Sequence, residues 1–93
     1  MKNKNYILEQ KIILRKILNK HDPIHIYFGK KINPDEYDLE IEKILLAFNK
    51  NNNLEKFTEK VYTIFIKMFS PKIAGDRSKY VKLAEEICNY LKK

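Results

Sequence analysis

Residues 33–49, NPDEYDLEIEKILLAFN, decide the fold. Asn33 can cap a helix, Pro34 suits the first helical position, and Glu36 stands three residues after the cap. Asp35 and Glu36 also complement the positive end of the helix dipole. Tyr37, Ile41, Ile44, Leu45 and Phe48 then recur at helical spacing as one apolar stripe. The expectation is a helix over about residues 34–49, closed by an Asn-rich turn at 49–53.

Reading outward, three further helices carry the same signature. The first spans about residues 5–19, with Tyr6, Ile7, Ile13, Leu14, Ile17 and Leu18 on one side. His21-Asp22-Pro23 ends it, because a residue before proline is pushed out of the α region. The third spans about 54–69, with Phe57, Val61, Ile64, Phe65 and Met68 inward and Ser70-Pro71 as its stop. The fourth starts at Asp76 or Arg77 and runs to Leu91, with Tyr80, Leu83, Ala84, Ile87 and Leu91 inward. Gly75 and Asp76 supply its turn and cap. No segment alternates with period two for long, and the one candidate strand, residues 25–32, has nothing to pair with. The predicted fold is all-α: a compact four-helix bundle, residues 1–93 forming a single helical domain. A long apolar loop joins helices 1 and 2.

That loop, residues 21–33, exceeds the 2–8 residues usual between bundle helices. Ile24, Ile26, Tyr27, Phe28 and Ile32 make it apolar, so it has to dock on the bundle or on a partner. The bland expectation is that Ile24, Ile26 and Phe28 plug one end of the core, with Asp22 accepting from nearby backbone N–H groups. The segment His21-Asp22-Pro23-Ile24-His25-Ile26-Tyr27, followed by Asp35-Glu36-Tyr37-Asp38-Leu39-Glu40-Ile41, resembles the small bacterial YugE-like family, a domain of unknown function. Members of that family show an aromatic-Asp-Pro-Ile-Gly-hydrophobic-Tyr stretch and then an Asp-Glu-Tyr-Asp-x-Glu helix start. His21 stands where an aromatic such as Trp is usual, and His25 where Gly is usual. The resemblance covers about residues 14–91. It implies a small α-helical fold and carries no activity and no catalytic residue.

The formal charge of +7 invites a nucleic-acid reading. Two facts discount it. Of 19 basic residues only Arg15 and Arg77 are arginine, the residue favoured for bidentate phosphate and guanine contacts. Lys, Ile and Asn, all with A/T-rich codons, make up 39 of 93 residues, so codon bias alone inflates lysine. The charge is also segregated: residues 1–20 carry +5, residues 34–50 carry −3 and residues 70–93 carry +3. If helices 1 and 4 pack side by side, Lys11, Arg15, Lys16 and Lys20 join Lys79, Lys82, Lys92 and Lys93 in one basic strip. Binding through it is expected to be weak and salt-sensitive.

Catalytic signatures are sparse. The only histidines, His21 and His25, lie in the loop, and neither stands at i+3 or i+4 from Asp38 or Glu42, as a helical metal site requires. Cys88 is a lone cysteine on the edge of an apolar stripe. Gly29 and Gly75 are the only glycines, so there is no Gly-rich phosphate loop; Gly29-Lys30-Lys31 is at most a weak phosphate holder and reads better as a surface turn. The expectation is no enzyme, no metal and no cofactor. No run reaches the ~18 apolar residues of a membrane span, and the first ten residues lack a secretory signal's apolar stretch. A cytoplasmic address and no membrane partner are therefore expected.

Apolar residues off the stripes are more telling. Leu39 and Leu46 point nearly opposite Tyr37, Ile41 and Phe48. Tyr62 and Ile66 do the same on helix 3, and Leu8 and Ile12 on helix 1. A helix apolar on two sides either lies centrally or meets another chain. The candidate partner-binding residues are Tyr27, Asp38, Leu39, Glu42, Leu46, Tyr62 and Ile66. The expected function is non-catalytic protein–protein interaction with a protein partner or a second copy, an immunity- or inhibitor-type module being one form. Weak nucleic-acid binding is the alternative.

Overall fold

The structure, a computed structural model, describes residues 4–92, with side chains from residue 7 on. The Tyr6 side chain, expected on the first stripe, lies outside that range. The described residues form α1 (Lys4–His21), α2 (Asp38–Ala47), α3 (Leu54–Met68), α4 (Pro71–Ala74), a 3₁₀ turn (Arg77–Tyr80) and α5 (Val81–Leu91). The chain is all-helical, and among the described residues there is no strand. The count of helices differs from the expected four, because Ser70 starts an element as well as ending one. Its hydroxyl accepts from Ile73 N at 3.2 Å and Pro71 takes the first position, which launches α4 as a single turn. The last helix opens with the 3₁₀ turn. Asp76 does not cap it with its side chain; its carboxylate takes the Ser78 hydroxyl instead, at 2.5 Å.

The start of α2 corrects the sequence reading. Asn33 does not cap a helix at Pro34. Its Oδ1 accepts from Phe28 N at 2.8 Å, while its Nδ2 donates to Ile26 O at 2.6 Å and to Glu36 Oε2 at 3.2 Å. With that side chain committed to the loop, residues 34–37 form turns and the helix begins at Asp38. Asn53, by contrast, caps α3 by accepting from Lys56 N at 2.8 Å.

Each long helix packs on the next, in the order α1, α2, α3, α5, and α5 closes on α1. The buried side chains include Leu14 and Leu18 from α1, Ile41 and Ile44 from α2, Phe57, Val61 and Phe65 from α3, and Leu83, Ala84 and Ile87 from α5. Phe65 sits among Tyr37, Phe69 and Tyr80, with ring centroids 6.0, 5.9 and 5.0 Å away. Removing that ring, as in Phe65→Ala, costs ~3–5 kcal/mol. One stripe residue departs: Ile7 is 41% exposed. Ile7 lies opposite Leu46, in the last turn of α2, where little chain is left to cover it.

The loop between α1 and α2 is organised by Asp22. Its Oδ1 accepts from Ile26 N at 2.9 Å, from Tyr27 N at 3.1 Å and from the buried Tyr37 hydroxyl at 2.6 Å. Ile24, Ile26 and Tyr27 are thereby held against the core. Phe28 does not join them; it is 70% exposed. The hydrogen bond from Phe28 N to Asn33 turns the chain outward before the Phe28 side chain can reach the core. Among the described residues no helix is long and apolar enough to cross a membrane.

Candidate interaction surface

The seam between α1 and α2 is a ladder with a regular register. Arg15 makes two bonds to Asp38, Nε to Oδ1 at 2.8 Å and Nη2 to Oδ2 at 2.6 Å. Four residues earlier on α1 and four later on α2, Lys11 pairs with Glu42 at 3.0 Å. The next step brings Ile7 and Leu46 into one groove of about 430 Å³, floored by Gln10 and Leu45. In the other direction Asn19 Nδ2 donates to Pro34 O at 3.0 Å. The i+4 spacing that aligns residues along one helix also spaces the rungs between two antiparallel helices.

Leu8 and Ile12 each follow a rung residue by one position, about 100° further round α1. Leu39 follows Asp38 in the same way on α2. All three are exposed, Leu39 at 64%, and Leu46 is 87% exposed. The outer face therefore carries closed ionic rungs flanked by bare leucine and isoleucine. Asp38 and Glu42, candidates for partner contact, are bound within the chain by Arg15 and Lys11. Part of their role is to hold the seam shut, and the Asp38 contact raises the pKa of Arg15.

The remaining candidates lie elsewhere. Tyr62 is half-buried, donates its hydroxyl to Gly75 O at 3.0 Å and packs 5.4 Å from the Tyr80 ring. Ile66 also packs against the core. α4 and the 3₁₀ turn, elements that the helical periodicity did not reveal, both pack on α3, and Tyr62 meets the 3₁₀ turn at Tyr80. Tyr27 lines a second cleft, of about 420 Å³, with Ile12, Arg15, Lys16, Lys20 and Lys30. Sequence reasoning missed this convergence of α1 and loop lysines, as well as the exposure of Phe28 and Ile32. The signal for it was Gly29-Lys30-Lys31, read from the sequence as at most a weak phosphate holder.

Other ionisable groups are placed for structure. Lys20 and His21 both bond Glu86 of α5, holding its carboxyl below the ordinary range. Arg77 bridges Glu59 at 2.7 Å and Glu55 at 2.8 Å, tying the 3₁₀ turn to α3. Glu40 is buried with Oε1 unbonded. Burial first, then the nearby Glu36 and Asp38 charges, raise its pKa. Cys88 is buried as a free thiol. Among the described residues, no three His, Cys, Asp or Glu side chains come together to hold a metal ion.

The fold and surface define an all-helical protein with one apolar, ion-braced face. No family model, curated protein or solved structure matches the chain.

Proposed function

We propose that this chain is a non-catalytic, cytoplasmic protein-binding module, and that the outer face of the α1–α2 seam docks on a protein partner or a second copy. The observation that carries the reading is the exposure of Leu39 and Leu46 beside Leu8 and Ile12, on a seam whose charges are already satisfied. Apolar side chains around a closed polar seam lose water on docking without stranding a charge. The four long helices are read as a four-helix bundle, a rigid support for such a face. An inhibitor- or immunity-type protein, capping one partner, suits the size and the acidic start of α2. The YugE-like assignment remains part of this proposal. In its support, His25 has φ +58°, in the region most open to glycine, the residue usual there.

The alternative of nucleic-acid binding along a joint α1–α5 strip is less well supported, because Glu86 stands inside that strip between Lys20 and His21. The deciding experiment compares the wild-type chain with Leu39→Asp/Leu46→Asp by light scattering and by stoichiometric co-purification. The variant should keep its circular dichroism and melting temperature and lose its complex. A variant that keeps every complex of the wild type sinks the reading.

A further inference from the structure

A second exposed surface lies in the loop before α2, at residues 28–32, Phe-Gly-Lys-Lys-Ile. Gly29 has φ +131°, open to glycine and strained for any other residue. Its carbonyl accepts from Ile32 N at 3.0 Å and Asn33 N at 3.1 Å. The Asn33 side chain closes the turn from behind, onto Phe28 N and Ile26 O. Asp22 fixes the next layer by holding Ile26 N and Tyr27 N. The tip is thus built in advance by bonds to both of its ends. It nevertheless presents two large apolar side chains to water, Phe28 at 70% and Ile32 at 72% exposure, with exposed Lys30 and Lys31 between them.

The cleft lined by Tyr27, Lys16, Lys20 and Lys30 adjoins this tip through Lys30. Lys20 is engaged by Glu86, and Arg15, also in the cleft, by Asp38. Lys16, Lys30 and Lys31 take part in none of the described ion pairs, so their charge is available to an outside anion. We infer that the tip docks on an anionic lipid surface, Phe28 and Ile32 entering the boundary between headgroups and acyl chains while Lys16, Lys30 and Lys31 meet headgroup phosphates. Two features favour lipid over a nucleic-acid strand. A strand stacks on aromatic rings and leaves Ile32 unused, whereas a lipid boundary takes up aromatic and aliphatic side chains alike. The cations are lysines, whose point charges suit a diffuse layer of phosphates better than planar recognition. The net charge of +7 steers the approach. A surface contact of this kind needs no membrane-crossing helix.

The test is co-sedimentation of the full chain with vesicles of phosphatidylcholine alone and of phosphatidylcholine mixed with phosphatidylglycerol, at low and moderate salt. Binding is expected only to the mixed vesicles, weakening as salt rises. Phe28→Ser/Ile32→Ser should lose roughly tenfold or more in affinity with unchanged circular dichroism, since both side chains are exposed. Lys16→Gln, Lys30→Gln and Lys31→Gln should each lose roughly fivefold. Leu39→Ser/Leu46→Ser, which keeps the net charge at +7, should bind vesicles as the wild type does, which separates this inference from the protein-docking reading. No binding to mixed vesicles, equal binding to neutral ones, or tip variants that bind like the wild type would overturn it. So would a single-stranded oligonucleotide that binds the wild-type chain, but not the Phe28→Ser/Ile32→Ser variant, more tightly than the mixed vesicles do.

Discussion

Asp22 makes the sharpest quantitative prediction, because one carboxylate oxygen serves three donors from two parts of the chain. Asp22→Ala leaves the buried Tyr37 hydroxyl without its 2.6 Å acceptor and releases the Ile26 and Tyr27 amides. A hydrogen bond to a charged acceptor contributes ~1.5–3 kcal/mol, and bonds sharing one oxygen do not add fully. The freed amides sit in a partly exposed loop where water can replace the carboxylate. The summed loss should be about 3 kcal/mol. A chain of this length has about 5–14 kcal/mol in total, so the variant forfeits a large share of its stability. With a urea m-value of about 1–1.5 kcal/mol/M, the unfolding midpoint should fall by about 2–3 M. Asp22→Asn is the control. Asn tolerates the φ of +43° and keeps an acceptor oxygen, so it should cost only about 1 kcal/mol. Tyr37→Phe should cost about 1–2 kcal/mol. In the double-mutant cycle the Asp22→Ala and Tyr37→Phe losses should fall short of additivity by about 1 kcal/mol or more. Strict additivity would refute the claim that this contact pins the loop to the core. The tip proposed to meet lipid hangs from the same carboxylate, so Asp22→Ala should loosen it too.

Three further outcomes follow from the same structure. Burial raises the Glu40 pKa, so the folded chain binds that proton more tightly than the unfolded one; its effect on stability is best at acid pH and worsens as pH rises through the folded value. Glu40→Met should gain about 1–3 kcal/mol at neutral pH by urea unfolding, with the gain shrinking towards acid; a gain that does not shrink argues against a buried, destabilising charge. Glu86 has the opposite sign: Lys20, then His21, depress its pKa, so its stabilisation is present above the ordinary carboxylate range and lost as pH falls through the folded value. Discounted for solvent screening at a one-third-exposed side chain, Glu86→Gln should cost about 0.5–1 kcal/mol at neutral pH and less in high salt, read from melting curves. His25→Gly should leave stability within about 0.5 kcal/mol, because relief of the left-handed backbone offsets the added freedom of the unfolded chain, while His25→Val should cost about 2 kcal/mol.

The helices were legible in the residues because their causes are local. Tyr37, Ile41 and Ile44, or Phe57, Val61 and Phe65, need only the 3.6-residue period to announce a buried face, and all six are buried. The Asn53 cap is local as well, since its acceptor and donor lie three residues apart. Asn33 shows where such reading stops. Its side chain had two outlets, the first turn of a helix or the closure of the preceding loop, and Ile26 O and Phe28 N take it in a loop that the Asp22–Tyr37 contact holds folded back. The rungs from Ile7–Leu46 to Asn19–Pro34 belong to the same category. Each partner was visible, but their register depends on how two helices slide past each other, a quantity that no single helix encodes. Periodicity along the chain therefore settled which faces are apolar. Packing between distant segments settled which charges are spent inside, which leucines stay bare and where the lysines gather, because hydrogen bonds and side-chain contacts between elements are chosen only once those elements meet.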